Sequence, residues 1–481
     1  MSSGAGGTIR HLIVENLYHL YYNDYNIVFP IWCIIQHLKV SAISQIKGGP
    51  VIMAQNPLTG LPNRQELLAD LAERLAENER LLVIRVDAVH LKNVNALFGH
   101  KTGDQVLKHL AGLVSSWHDG LKAYHTGAVS FILVGSADID IDMEAFRENA
   151  CEAIEIDGNM IRPKVRIVYV YSRKGDTETD LTDLLRWASG RKDLLTQWIL
   201  EADDGIRNDR DNDEHVTAEL WSAINDRSFV IYYQPVYDLK QERFVSAEAL
   251  IRLWDSEGNF ISPGRFIPLA EKKHLIDRIT DIVLDKVCDF LGRHPDLPID
   301  SISVNMTPGQ ILDDELPQKL LAKAADAGTV LSKLRLEMTE RTIQEDPGRT
   351  TAVMQELTRL GSGFYLDDFG TGYSNMSSVL SLPFEGIKFD KSLMDHLRKQ
   401  NFDKKHAQMI SLLGQMVHIG EAKIIAEGIE DGEDDELVWA KDNNIDRVQG
   451  FYYSKPLPED QFIELINYEH DPEKNLTSTK C

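Results

Sequence analysis

The stretch "FYLDDFGTGYS" at residues 364–374 sets two adjacent aspartates, Asp367 and Asp368, at the end of an apolar segment. Two carboxylates side by side repel each other, so either their pKa values rise or a cation neutralises them. Further acids and amides recur through the second half of the chain: Gln234, Glu248, Asn305, Glu337, Glu427 and Gln449, with Lys388 among them. Oxygen donors in this number suit Mg²⁺ or Mn²⁺. No histidine belongs to the set, which disfavours zinc. Charge and ligand count fit two metal ions, roughly 3.5–4 Å apart in such sites, clamping the attacking and leaving oxygens of a displacement at phosphorus. Lys388 can orient a water or stabilise a phosphoryl oxygen. Arg252, four residues after Glu248, can hold a second phosphate.

Elements of strand length carry these residues. In order they read "FVIYYQPV", "FVSAEALIRL", "SISVNMT", "KLRLEMTE", "GFYLDDF", "GIKFD", "AKIIAEGI" and "DRVQGFYY", several separated by helical patterns such as "LPQKLLAKAADAG" and "TAVMQELTRLG". Eight strands with helical crossovers over residues 215–470 predict a (β/α)8 TIM-like barrel; an open doubly wound sheet is the alternative. Polar residues late in successive barrel strands converge on one mouth. Neighbours along a strand point to opposite faces, so Asp367 and Asp368 share a site only if the strand loses regularity there. Gly370 and Gly372 then allow a sharp turn.

Residues 56–200 form a separate segment. A turn and amphipathic helix, "NPLTGLPNRQELLADLAERLAEN", precede a strand, "RLLVIRVDAV", and a helix holding "GDQVLKHLAGLV". A strand pair around "AYHTGAVSFILVG" and the strand "KVRIVYVYS" follow, which predicts an α+β domain. The acidic stretch 201–214 reads as a solvated linker or the charged end of a connecting helix. Residues 1–55 have helical spacing and no assignable role, and 471–481 form a tail.

Bulk composition narrows the classes. The chain has 481 residues, enough for two or three domains, and 43% are hydrophobic, so it can build cores. A formal net charge of −24 argues against duplex nucleic acid as partner. The cysteines, Cys33, Cys151, Cys288 and Cys481, are scattered, which fits neither a disulfide framework nor a zinc site and suits a reducing, cytoplasmic setting. The apolar run "IVFPIWCII" at 27–35 is too short to span a bilayer and contains a proline, and no secretory signal is visible, so no transmembrane segment is expected.

Taken together, "AEALIRLW", "SVNMT", "LEMTE", "LDDFGTGYS", "IKFDKSL", "AEGIE" and "VQGFYYSKPLP" resemble the successive motifs of the EAL family of bacterial cyclic di-GMP phosphodiesterases. The resemblance covers about 250 residues, in order. It implies a barrel, two Mg²⁺ or Mn²⁺ ions, and hydrolysis of cyclic di-GMP to linear pGpG. Carried over motif by motif, Glu248, Asn305, Glu337, Asp367, Asp368 and Glu427 would be metal ligands, with Asp367 bridging. Lys388 would fix the hydrolytic water, and Glu427 has a second possible role as general base. Gln234, Leu250, Arg252, Asp390 and Gln449 would line the substrate site. Glu340 would anchor the loop that runs from the aspartate pair through Asn375, by accepting hydrogen bonds from its backbone or from Thr371. The resemblance makes that loop a mobile element coupled to a homodimer contact. A non-catalytic cyclic di-GMP receptor or scaffold is the competing reading; receptors of this family usually lack several ligands, whereas every one is present here.

The first segment is similar to the GGDEF domains that synthesise cyclic di-GMP, through "NPLTGLPNR", "VDAVHLKNVNALFGHKTGDQVL" and "HTGAVSFIL". Asp87, Asn95 and Asp104 stand at the family's metal and guanine positions. The signature loop reads Gly127-Ala128-Val129-Ser130-Phe131, so its second glycine and both acids are replaced. Val89 replaces another usual acid, and the helix "LLRWASGRKDLL" lacks the usual phosphate-binding lysine. His118 and Leu121 occupy the positions of the inhibitory Arg-x-x-Asp site. The expectation is a degenerate domain without cyclase activity, either structural or retaining a GTP-sensing role.

Overall fold

The structure, a computed structural model, describes residues 55–191, 196–370, 381–393, 404–429 and 440–469. The expected helical lead-in, apart from Gln55, and the tail 471–481 lie outside the described residues. So does the loop 371–380, including Thr371 and Asn375. The chain divides into two compact units, Met1–Arg207 and Asn208–Cys481.

The first unit is built on strands β1 (Leu81–Val89), β2 (Lys122–His125), β3 (Ser130–Ser136), β6 (Lys164–Tyr171) and β7 (Ile199–Glu201), in the order β2-β3-β1-β6-β7. A short ribbon, β4 (Ile154–Ile156) and β5 (Asn159–Ile161), pairs separately. β1 runs antiparallel to both β3 and β6. Its residues Leu82, Ile84 and Val86 pack towards helix His100–Ser116 through Val106, Leu107 and Leu110. Leu81 and Val83 pack on the other side against Leu67 and Leu71 of helix Arg64–Ala76 and Leu181, Leu184 and Leu185 of helix Glu178–Ser189. Because helices cover both faces, the strand is apolar almost throughout rather than alternating. Asn63 starts the first helix by accepting hydrogen bonds from the backbone of Gln65 and Glu66. The ribbon and β7 are additions to the strands read from the sequence; at three residues each they are too short to show a period.

The acidic stretch 201–214 is mostly ordered as helix, since a continuous helix runs from Asp204 to Asp226 and Glu201 closes β7. A solvated linker is therefore corrected to the helical alternative, and Val216, Leu220, Ala223 and Ile224 give the helix its buried side.

The second unit contains β8 (Val230–Asp238), β9 (Arg243–Trp254), β10 (Phe260–Ile261), β11 (Ser301–Asn305), β12 (Leu334–Thr339), β13 (Gly363–Phe369), β14 (Phe384–Phe389), β15 (Lys423–Glu427), β16 (Arg447–Gln449) and β17 (Leu457–Pro458). Strands β9, β11, β12, β13, β14, β15 and β16 pair in parallel succession, and β8 closes the ring by pairing with both β16 and β9. β10 and β17 are short additions at β9 and β8. This is the expected eight-stranded barrel with one correction. β8 is antiparallel to both its neighbours, because a tight turn joins it to β9 where a (β/α)8 repeat would place a helix.

Period-2 alternation divides each strand between two jobs. Ile302, Val304, Leu336, Phe364, Leu366, Ile387 and Ile424 join the apolar layer with Val283, Leu284 and Val287 of helix Ile276–Arg293 and Val353, Met354 and Leu357 of helix Pro347–Arg359. Burying side chains of this size contributes about 1.5–3 kcal/mol each. The alternate positions form the barrel lining. Val236, Tyr365 and Ile425 make a separate apolar layer, while Asp238, two residues past Val236 on β8, pairs with Arg447 of β16 at 3.5 Å. Gly386 leaves room for the Tyr365 ring, which a Cβ would approach to 2.9 Å.

Candidate active site

Two residues above the Val236–Tyr365–Ile425 layer, the lining turns acidic. Lys388 on β14 is 1% exposed, and its ammonium faces carboxylates from four other strands. Nζ lies 3.0 Å from Glu248 on β9, 2.9 Å from Glu337 on β12, 3.4 Å from Asp367 on β13 and 2.8 Å from Glu427 on β15. Amides complete the ring. Asn305 at the end of β11 donates to Glu248 Oε1 at 2.7 Å, and Gln449 at the end of β16 donates to Glu248 Oε2 at 2.6 Å.

Gln234 sits directly opposite Glu248 in the β8–β9 register and donates to the Ser454 carbonyl at 2.6 Å. It reaches this end of the barrel from the middle of β8 because that strand runs the other way. The rule that polar residues come late holds from β11 to β16 and is corrected for β8 and for β9, where Glu248 lies midway along the strand.

The aspartate pair occupies a defect. The register between β13 and β14 shifts between Leu366 and Phe369, and Asp368 has φ +55°, in the left-handed region. Its backbone N–H donates to Asp367 Oδ1 at 3.0 Å. The strand therefore loses its alternation at the two adjacent acids, as their side-by-side use requires. Gly370 follows with φ +102°, where a Cβ would lie 2.5 Å from Leu393, so both conformation and space call for glycine.

Burial and mutual repulsion set the charges. Burial would raise Glu248, but Lys388 and the hydrogen bonds from Gln449, Lys388 and Asn305 outweigh it and hold that carboxyl below its usual range. Glu337 is pushed well above the usual range by burial and then by the charge of Glu248. Burial opposed by Lys388, with repulsion from Asp367 and Glu248, pushes Glu427 up to about 7. Asp368 is raised by burial and by Asp367 and Asp390. Lys388 is raised well above its usual value, since four carboxylates overcome its burial.

Five carboxylates against one ammonium leave a strongly negative mouth with oxygen donors only. Glu337 Oε1 is buried without a hydrogen-bond partner among the described residues. Such a donor set fits hard divalent cations. Among the described residues the acids are gathered around Lys388 rather than already spaced as a metal cage.

Other expected residues lie at the rim. Leu250 and Arg252 pair across from Tyr232 and Val230 on β8, and the Arg252 guanidinium lies over the Tyr232 ring at 5.3 Å. Tyr232 is the rim residue the sequence reading missed; its place two residues before Gln234 on the same strand face was the available signal. Asp390 accepts from the Ser392 N–H at 2.8 Å and so starts the following helical turn. Glu340 opens helix Glu340–Glu345, and its Oε1 is buried with no hydrogen-bond partner among the described residues.

Comparison with known proteins finds two domain families. Residues 217–456 match the family model of the EAL domain, and residues 53–151 match that of the diguanylate cyclase, GGDEF domain. The chain is a GGDEF–EAL tandem protein. Signaling protein YkoW of Bacillus subtilis is 28% identical over 427 residues, covering 85% of this chain and 52% of YkoW. Cyclic di-GMP phosphodiesterase NbdA of Pseudomonas aeruginosa is 27% identical, covering 86% of this chain and 54% of NbdA. The chain thus spans about half the length of these relatives. Among solved structures, the PaMucR phosphodiesterase in complex with c-di-GMP is 29% identical and covers 51% of this chain and 99% of its own, with a TM-score of 0.47. The EAL domain holds the acidic mouth, and no helix among the described residues is long and apolar enough to cross a membrane.

Proposed function

We propose that the EAL domain hydrolyses cyclic di-GMP to linear pGpG in a reaction that needs Mg²⁺ or Mn²⁺. The observation that carries this is the convergence of Glu248, Glu337, Asp367 and Glu427 from four strands on the single ammonium of Lys388. Relatives named as cyclic di-GMP phosphodiesterases support the substrate.

The residues that would hold two divalent ions are Glu248, Asn305, Glu337, Asp367, Asp368 and Glu427. When bound, such ions supply charge stabilisation at phosphorus and a water acidic enough to attack near neutral pH. The chain's own residues do the rest. Lys388 balances charge at the centre by donating to Glu248 and Glu337; in this reading it would turn an N–H group to the attacking water once those carboxylates ligate metal ions. Gln449 and Asn305 fix the rotamer of Glu248, so its oxygens keep one orientation. Burial pushes the Glu427 carboxyl up to about 7 before any ion is bound, and its second role in this reading is that of general base. Arg252, supported on Tyr232, presents a cation at the rim for a second phosphate, and Gln234, Leu250 and Asp390 border the same mouth. A second copy of the chain against the EAL domain belongs to this reading, and sedimentation equilibrium tests it.

The GGDEF domain is proposed to make no cyclic di-GMP, because Val89, Val129 and Ser130 stand where acids are needed. The deciding experiment incubates purified protein with cyclic di-GMP and separates the products by chromatography. Turnover to pGpG with Mg²⁺ or Mn²⁺, abolished by chelation, is expected. Binding without turnover under any metal would favour a receptor.

A further inference from the structure

The GGDEF domain contains a buried carboxylate of its own that the barrel chemistry does not use. Asp87 is 9% exposed on β1 and faces Ser130 on β3 and Arg166 on β6 in register. Arg85 lies two residues earlier on the same strand face and donates through Nε to Asp87 Oδ2 at 2.7 Å. The other end of its guanidinium donates to Ser130 Oγ at 2.7 Å, and Ser130 Oγ donates to Asp87 Oδ1 at 2.6 Å. Ser189, the last residue of helix Glu178–Ser189, donates its hydroxyl to Asp87 Oδ2, and Arg166 Nη1 donates to the Ser189 carbonyl at 3.0 Å.

Both carboxylate oxygens are therefore engaged from within, and the guanidiniums of the partly buried Arg85 and the buried Arg166 supply the compensating charge. A divalent ion at Asp87 would have to displace Arg85 and the hydroxyls, and would then sit beside two cations in a region of low dielectric, where like charges repel strongly. Ser130, the residue found in place of an acid, is itself part of the closed network.

We infer that this domain carries an internal Arg85–Asp87–Ser130 lock in place of a divalent-cation site, and so folds without a metal. The inference deepens the reading that the domain is not a cyclase. A domain that makes no product could still hold an ion, so the test reads ion binding rather than synthesis.

Mn²⁺ bound to the full chain at saturation is counted by the loss of the free-ion signal in electron paramagnetic resonance. Asp87→Asn should bind the same number of ions as the wild type; one ion fewer would overturn the lock. The double variant Arg85→Ser/Ser130→Glu removes the cation and restores an acid, and should bind one ion more. No gain in a double variant that keeps the wild-type circular dichroism and melting profile would show that the lock is not what excludes the metal. If Asp87→Asn fails to fold, the double variant decides the question alone.

Discussion

Lys388 contributes the one ammonium facing four carboxylates, and its removal separates its two roles. In Lys388→Met the acids keep their burial and lose their counter-charge. Breaking a buried ionic cluster on one side costs about 3–5 kcal/mol. The melting temperature of the variant should therefore fall sharply in chelator and recover in part with Mg²⁺, while turnover stays low in both. Equal melting of variant and wild type in chelator would contradict the central position given to this ammonium. Glu427 makes a pH prediction. Its folded pKa, about 7, lies above the ordinary 4.5. A carboxyl raised in this way stabilises the fold below its unfolded pKa, and that contribution is lost as pH rises through the folded value. Metal-free wild type should thus lose stability relative to Glu427→Gln between about pH 5 and pH 8, by on the order of 2–3 kcal/mol. A divalent ion should cancel the loss, because it favours the ionised form. Parallel melting curves for the two proteins across that range would refute it.

Among the elements, β13 has the most demanding task, since it must present Asp367 and Asp368 together and then turn. The register shift and the φ of +55° at Asp368 do the first, and Gly370 does the second. Holding a non-glycine residue in that region costs of order 1–3 kcal/mol, which neighbouring contacts must offset. Glu340 is the candidate anchor for the segment beyond Gly370. Its buried Oε1 has no partner among the described residues, and it does not cap its own helix by any hydrogen bond found there. Glu340→Gln should keep its melting temperature, lose activity by about a hundredfold through misplaced ligands, and need more Mg²⁺. Normal kcat and metal affinity with a slightly lower melting temperature would instead mark Glu340 as a helix-stabilising residue.

At the scale of the whole molecule, two units with opposite charge balances around their buried carboxylates share one chain. One gathers carboxylates that lack enough internal cation; the other has its buried carboxylate fully answered by arginine and serine. Synthesis and hydrolysis are accordingly expected to be decoupled. In the Glu248→Ala background, where hydrolysis cannot conceal product, incubation with GTP and Mg²⁺ should yield no cyclic di-GMP. Any product there would overturn the reading of Val129 and Ser130. Much of this was legible in the sequence. The period-2 strands, the helices between them and the residues of the acidic mouth are local patterns, because alternation follows from the pleat and chemistry from side-chain type. The need for a defect at Asp367-Asp368 was equally local. What only the tertiary structure decided involves partners far apart in sequence. The closure of the ring sets Tyr237 of β8 against Val448 of β16, and a strand's pattern does not say what lies on its second edge. Which acids stay charged depends on Lys388 arriving 140 residues after Glu248. Ser130 could be seen as a missing acid, but that it seals Asp87 together with Arg85 required β1 and β3 to be set in register, since a single strand does not determine what lies opposite it.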